Sequence, residues 1–313
     1  MCCEEITRVW RSYMEKTITE PPKVLVVTAD DFGIRPEINA GIIEGHKNGI
    51  ITSAALLVNG IATNDAVQLI EEHPNLDVGL HLSMVEGYSL SGGKSLFDRE
   101  EYFPGRPCLH RHWTFFLAAF IRGHILKVEL ENEMRAQIEA FLRIRKSIPF
   151  LNSTQHLHLL PGIHDIILSL CEEYKIPWIR MPLPGGKMNL SIRGVQLEIL
   201  KRFGKKFASR AQCSKIVLSF PDAFLGFEES GTLSEEKILE LIDRVKPGIT
   251  ELMTHPGRES PFLRTRLSGY KNFSWESELR ALVSPAVIHK IKERNIQLCG
   301  FSKAMSLQST WRG

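Results

Sequence analysis

Two adjacent carboxylates, Asp30 and Asp31, follow closely on the apolar run Lys23–Thr28, KVLVVT. Carboxylates so close repel unless a cation or a proton lies between them, which suits one metal ligand beside one general base. The plain alternative is a turn or helix cap before Pro36, a role aspartate fills routinely. Further along stand His81 in VGLHLS, His156 and His158 in QHLHLLPG, Arg180, Asp222, and His255 in ELMTHPGR. Taken singly, each has a structural reading as a hydrogen-bonded core histidine or a strand-edge residue. Asp and His drawn from separate segments match the ligand set of a catalytic ion that keeps positions open for water. Such an ion acidifies water and polarises a carbonyl. An Asp base and a separate His acid would complete hydrolysis of an amide or ester.

Those residues need elements that deliver them to one place. The runs Lys23–Thr28, Ser53–Asn59, Asp77–Leu82, Ser153–Leu159, Trp178–Met181, Lys215–Phe220, Ile249–Thr254 and Ile296–Gly300 read as strands. Helical periodicity lies between them, at Pro36–Asn48, Asn64–Glu72, Val128–Lys146, Ile163–Tyr174 and Ser234–Val245. About eight strand–helix units with continuous apolar strands predict a mainly parallel sheet covered by helices. The fold class is therefore α/β, a distorted (β/α) barrel of TIM-like kind in a single domain, with a doubly wound open sheet as the alternative. In such a fold the reactive groups sit at the carboxyl ends of strands, where the candidates stand. His156 and His158 alternate on the expected fourth strand, so both should face one side. The polar, glycine-rich stretch Tyr88–Cys108 reads as a functional loop.

A chain of 313 residues with 43% hydrophobic content supports one large core. A net charge of +3, from 39 basic and 36 acidic residues, comes without a basic block of the kind that tracks a phosphate backbone, so nucleic acid is not expected. The apolar run Trp113–Ile121, broken only by Thr114, is far short of the roughly 20 residues of a bilayer span. The first residues, MCCEEITRVWRSYMEK, lack the apolar region of an export signal, which places the protein in the cytoplasm. Six scattered cysteines without a C-x-x-C pair suit reduced thiols.

The motifs TADDFG (Thr28–Gly33), LLVNG, GLHL, QHLHLLPG, RMP, PDAF, ELMTHPG, and SWE followed by ELRAL occur in one order over residues 23–302. With these the chain resembles the YdjC-like carbohydrate deacetylases, a group related in chemistry to the polysaccharide deacetylases. The resemblance implies a domain over residues 23–303, with an N-terminal extension (1–22) and a C-terminal tail (304–313). It implies a homodimer that uses Mg2+ or Zn2+ to remove acetyl groups from N-acetylated oligosaccharides. Carried over by position, Asp30 is the general base, Asp31 and His81 are metal ligands, His255 protonates the leaving amine and Arg180 steadies the base. The family pattern D-x-H-Q-H-x-H-x-x-P places a third histidine ligand where this chain has Thr154, and an aspartate where it has Asn152. His156, two residues on and expected on the same strand face, is the nearest replacement. The alternative reading is a sugar- or partner-binding protein on the same scaffold, with catalysis weakened or lost.

Overall fold

The computed structural model describes residues 20–97, 107–110, 112–182, 191–213, 215–261, 263, 270 and 272–312. The expected extension 1–22 thus lies almost wholly outside the described residues, as does the middle of the Tyr88–Cys108 loop. The parallel strands are β1 (Lys23–Phe32), β2 (Ser53–Leu56), β3 (Asp77–Leu82), β4 (Leu151–Ser153), β5 (Ala223–Leu225), β6 (Gly248–Thr254) and β7 (Gln297–Leu298). They form one sheet in the order β4-β3-β2-β1-β6-β5, and β7 pairs with Val24 and Leu25 of β1.

Single parallel bridges, Leu151 with Ile179 and Trp178 with Ser219, carry the ladder past β4. At the far edge the Asp222 N–H donates to the Ile249 carbonyl, 2.7 Å. Residues 219–222 therefore touch both edges, and the sheet curls into a distorted barrel. The expected strands Trp178–Met181 and Lys215–Phe220 shrink to these bridges. Pro177, Pro182 and Pro221 bound them, and proline cannot donate to a ladder. Asp222 also differs from expectation. Its carboxylate accepts from the Ile249 N–H, 2.8 Å, at the amino end of β6, opposite the site.

Helices cover the outer face: α1 (Pro36–Asn48), α2 (Thr63–Glu72), α3 (Trp113–Ile121), α4 (Lys127–Ile144), α5 (His164–Tyr174), α6 (Ile192–Ala211), α7 (Glu235–Ile242), α8 (Trp275–Leu282), α9 (Pro285–Glu293) and α10 (Phe301–Arg312). Leu25, Val27 and Ala29 of β1 pack into the main cluster beneath them. The alternate residues Val24 and Val26 join a second cluster with Phe150, Trp178, Ile249 and Phe301. Strand alternation makes this second cluster the barrel interior. It is closed by α10, whose Ala304 is buried while Leu307 and Trp311 pack against the cluster. Most of the expected tail 304–313 is thus part of a packed helix.

Polar residues stand above that apolar layer, two residues farther along the same inward faces. Trp178 is followed by Arg180, Ile249 by Glu251, Phe150 by Asn152, and Val26 by Thr28 and then Asp30. Gly79 precedes His81 in the same way, and a Cβ on Gly79 would collide with the Phe150 ring that fills the space below.

Candidate active site

Alternation alone would send Asp30 inward and Asp31 outward. The β1–β2 register shifts between Ala29 and Phe32, three steps on β1 against two on β2, and Asp31 takes the left-handed conformation, φ 67°. A bulge of this kind re-aims a side chain. Both carboxylates consequently border one cavity of about 470 Å³.

Asp30 is nearly buried and held from two sides. Arg180 forks onto it, Nη1 to Oδ2 and Nη2 to Oδ1 (2.9 Å), while its Nε donates to Glu251 Oε1, 2.8 Å. Asn152 Nδ2 donates to Asp30 Oδ1 at 3.0 Å. Burial would raise the Asp30 carboxyl, but the Arg180 guanidinium, with His81 and His255, holds it well below the usual carboxylate range.

The other end of Asn152 sets His81. Asn152 Oδ1 accepts from His81 Nδ1 at 2.6 Å, which leaves Nε2 facing Asp31 Oδ1 at 3.5 Å. Two ligands of a tetrahedral ion with bonds of ~2.1 Å lie ~3.4 Å apart. An outer partner that fixes the tautomer of a ligating histidine is the usual support of such a site. Thr154, two residues past Asn152, also borders the cavity, and its buried Oγ1 has no hydrogen-bond partner. Carboxylate, imidazole and hydroxyl fit a hard divalent ion completed by water, held less firmly than by two imidazoles.

His156 also borders the cavity, but not by the expected route. The expected strand Ser153–Leu159 ends at Ser153, and Thr154–Leu159 makes two 3₁₀ turns joined through Gln155 (φ 52°) and His156 (φ 54°). The two-residue alternation that was to put His156 beside Thr154 therefore fails. Its ring sits near Phe224 and Phe227, and its Nδ1 has no partner. Burial, then Arg180, pushes its pKa well below the ordinary value. Among the described residues no three His, Cys, Asp or Glu are grouped to hold an ion. His158 is structural: its Nδ1 accepts from Ser153 Oγ (2.7 Å) and its Nε2 donates to the Arg180 carbonyl (3.0 Å). That bond anchors the backbone that presents the guanidinium.

His255 reaches the cavity from the end of β6. Its N–H donates to Glu278 Oε1 at 2.5 Å, its ring meets Phe273 edge-on at 5.1 Å, and its buried Nδ1 has no partner. Burial lowers its pKa against the pull of Asp31 and Asp30.

Four residues escaped the sequence reading: Asn152 as a bridge, Glu251, Glu86 and Tyr270. Glu251 was signalled by a charge inside the apolar strand GITELMT, which only a buried partner explains. Tyr270 Oη donates to Glu86 Oε2 at 3.0 Å, and burial with the Asp31 charge pushes Glu86 up to about 8. Nothing in the local pattern marks that pair.

The model of the family described as YdjC-like protein matches residues 24–293. The chain belongs to the YdjC-like family. A carbohydrate deacetylase of Homo sapiens is 30% identical to this YdjC-like chain, over 90% of it and 91% of the relative. One of Brevibacillus brevis is 32% identical, over 89% and 98%. The crystal structure of an Enterococcus faecalis V583 protein named for cellobiose-phosphate cleavage superposes with a TM-score of 0.68. It is 24% identical, covers 90% of this chain and 98% of that one, and speaks to the fold.

Proposed function

We propose that this YdjC-like chain is a carbohydrate deacetylase that hydrolyses the acetamide of an N-acetylated oligosaccharide with a divalent ion, Mg2+ or Zn2+. The observation that carries the reading is the Asp30 carboxylate fixed by Arg180 and Asn152 beside the facing Asp31–His81 pair. Asp31 and His81 would hold the ion, with the Thr154 hydroxyl as its third neighbour. The chemistry such an ion supplies when bound is carbonyl polarisation and acidification of water.

Asp30, ionised throughout the physiological range, takes the proton of the water that adds to the acetyl carbon. Arg180 keeps that carboxylate in one orientation and Glu251 keeps Arg180 in place. His255, across the same cavity, acts as imidazolium, the form that the Asp31 and Asp30 charges favour against burial, and gives its proton to the sugar nitrogen as the C–N bond breaks; the proton held by Asp30 then passes to solvent and His255 takes one up for the next cycle. Acetate and a free amine leave. The aromatic wall of Trp113, Phe227 and Phe273 suits the apolar faces of a sugar ring.

Acetate release from chito-oligosaccharides tests the reading. Chelation should abolish it reversibly, and Asp30→Asn should lower it by roughly 10²–10⁴-fold with the fold intact. No release with zinc or magnesium at saturation would overturn it. A second reading, sugar binding without turnover, is favoured by Thr154 alone; it predicts that Asp31→Ala with His81→Ala leaves sugar affinity unchanged. The homodimer that the family resemblance implies and the cytoplasmic location expected from the first residues join this proposal, and sedimentation of the purified chain checks the dimer.

A further inference from the structure

Seven of the ten large apolar side chains that stand exposed among the described residues lie on two stretches. Phe115, Ile121, Leu126 and Val128 are on α3 and the turn into α4, while Ile192, Val195 and Ile199 are on the first turns of α6. Phe115 is 67%, Ile121 74% and Ile192 81% exposed. Both stretches belong to the rim of one cavity, since Trp113 and Leu117 line it from α3 and Ile199 and Phe203 from α6.

The same stretches collect charge of one sign. Residues 107–128 and 191–213 hold nine Lys and Arg against the single carboxylate Glu198, in a chain whose net charge is only +3. Glu198 is itself spent on Lys201, 2.7 Å away. Ile192, Val195, Ile199, Arg202 and Lys206 follow one another at helical spacing, so one exposed stripe of α6 runs from apolar to basic. Arg122, Lys127, Arg202, Lys205 and Lys206 are exposed and form no ion pair among the described residues.

We propose that α3 and α6 form a docking face for an anionic lipid membrane, on which the cavity mouth opens. Apolar residues entering the headgroup region with unpaired bases beside anionic lipid is how an interfacial helix binds. Charge selects this occupant over a second copy of the chain, because two such faces would oppose these five exposed, unpaired bases to five. The run Trp113–Ile121, too short to span a bilayer, has the length and composition to lie on one. The surface does not depend on the reaction proposed above.

Co-sedimentation of the full chain with vesicles tests it, using phosphatidylcholine alone and phosphatidylcholine with about one third phosphatidylserine. The charge variant is Arg202→Glu with Lys205→Glu and Lys206→Glu; the apolar variant is Phe115→Ser with Ile192→Ser. We expect binding to the anionic vesicles only, falling with added salt and reduced at least about tenfold in each variant. The control Met305→Ser, an exposed apolar residue on α10, should bind as the native chain does. Retained thermal unfolding of every variant separates lost binding from lost structure. Absence of anionic binding, equal binding to neutral vesicles, or binding indifferent to the charge variant would each overturn the proposal. So would a dimer that the apolar variant dissociates in a chain that ignores vesicles.

Discussion

Asn152 is the residue on which two functions of the site converge, because one amide both donates to Asp30 and accepts from His81. Truncation to Ala would leave His81 Nδ1 unpaired and Asp30 with Arg180 alone. Asn152→Ala should therefore lower kcat/KM by about 10–100-fold, as loss of an outer partner does at metal sites, and urea unfolding should show a loss of about 1–3 kcal/mol. Thr154 makes a second prediction. Its unpartnered hydroxyl faces the cavity on the same inward row, so Thr154→His should raise zinc retention after dialysis by about tenfold or more. No gain would mean that another group already serves as the third donor. That Asp30, Asp31, His81 and His255 would border one cavity, with Arg180 on Asp30, could be expected from the sequence because each stands within or at the end of an apolar run, where a charged type has no packing reason to be. Asn152 was legible only as a departure from a motif, and its bridging role needed coordinates.

Elements account for what the residue types could not. Alternation within β1, β3 and β6 was readable from the sequence, and it correctly orders core below and chemistry above. It failed at Ser153–Leu159, where an apolar run with two histidines has strand composition yet turns through two left-handed residues. QHLHLLPG contains no glycine at the turning positions, so the usual signal for positive φ was absent. That strain is testable. Gln155 is exposed and carries φ 52°, so Gln155→Gly should stabilise the fold by about 1 kcal/mol in thermal or urea unfolding. Gln155→Val should destabilise it. The bulge that turns Asp31 toward the cavity was equally silent, since an Asp-Asp pair looks the same in a turn.

For the molecule as a whole, burial of carboxyls without counter-charges sets how stability follows pH. Burial pushes Glu278 up to about 8 from an ordinary 4.5, against the N–H groups of His255 and Leu233, and Glu86 is raised similarly. A carboxyl whose folded pKa is raised binds its proton more firmly in the native state. Its stabilisation is complete below about pH 4.5 and is lost as pH rises through about 8. Below about pH 6.5 the buried, neutral His156 and His255 act in the opposite sense, so melting temperature should fall between about pH 7 and pH 9. Glu278→Gln, which keeps the acceptor for His255, should flatten part of that slope. The barrel class was readable from strand–helix alternation, whereas the basic, apolar rim was hidden because its members are dispersed in sequence and gathered only by packing. The placement of β1 has one more consequence, for synthesis. The strand emerges from the ribosome early, but Lys23 through Ala29 pair with residues 248–254, and Val24 and Leu25 with Gln297 and Leu298. Until those late segments arrive, the growing chain carries Asp30 and Asp31 on an unfinished central strand, and Arg180 has no Glu251 to hold it. Chains stalled before β6 would expose the middle of the sheet rather than its rim, and they would be marked for removal by that exposed apolar centre.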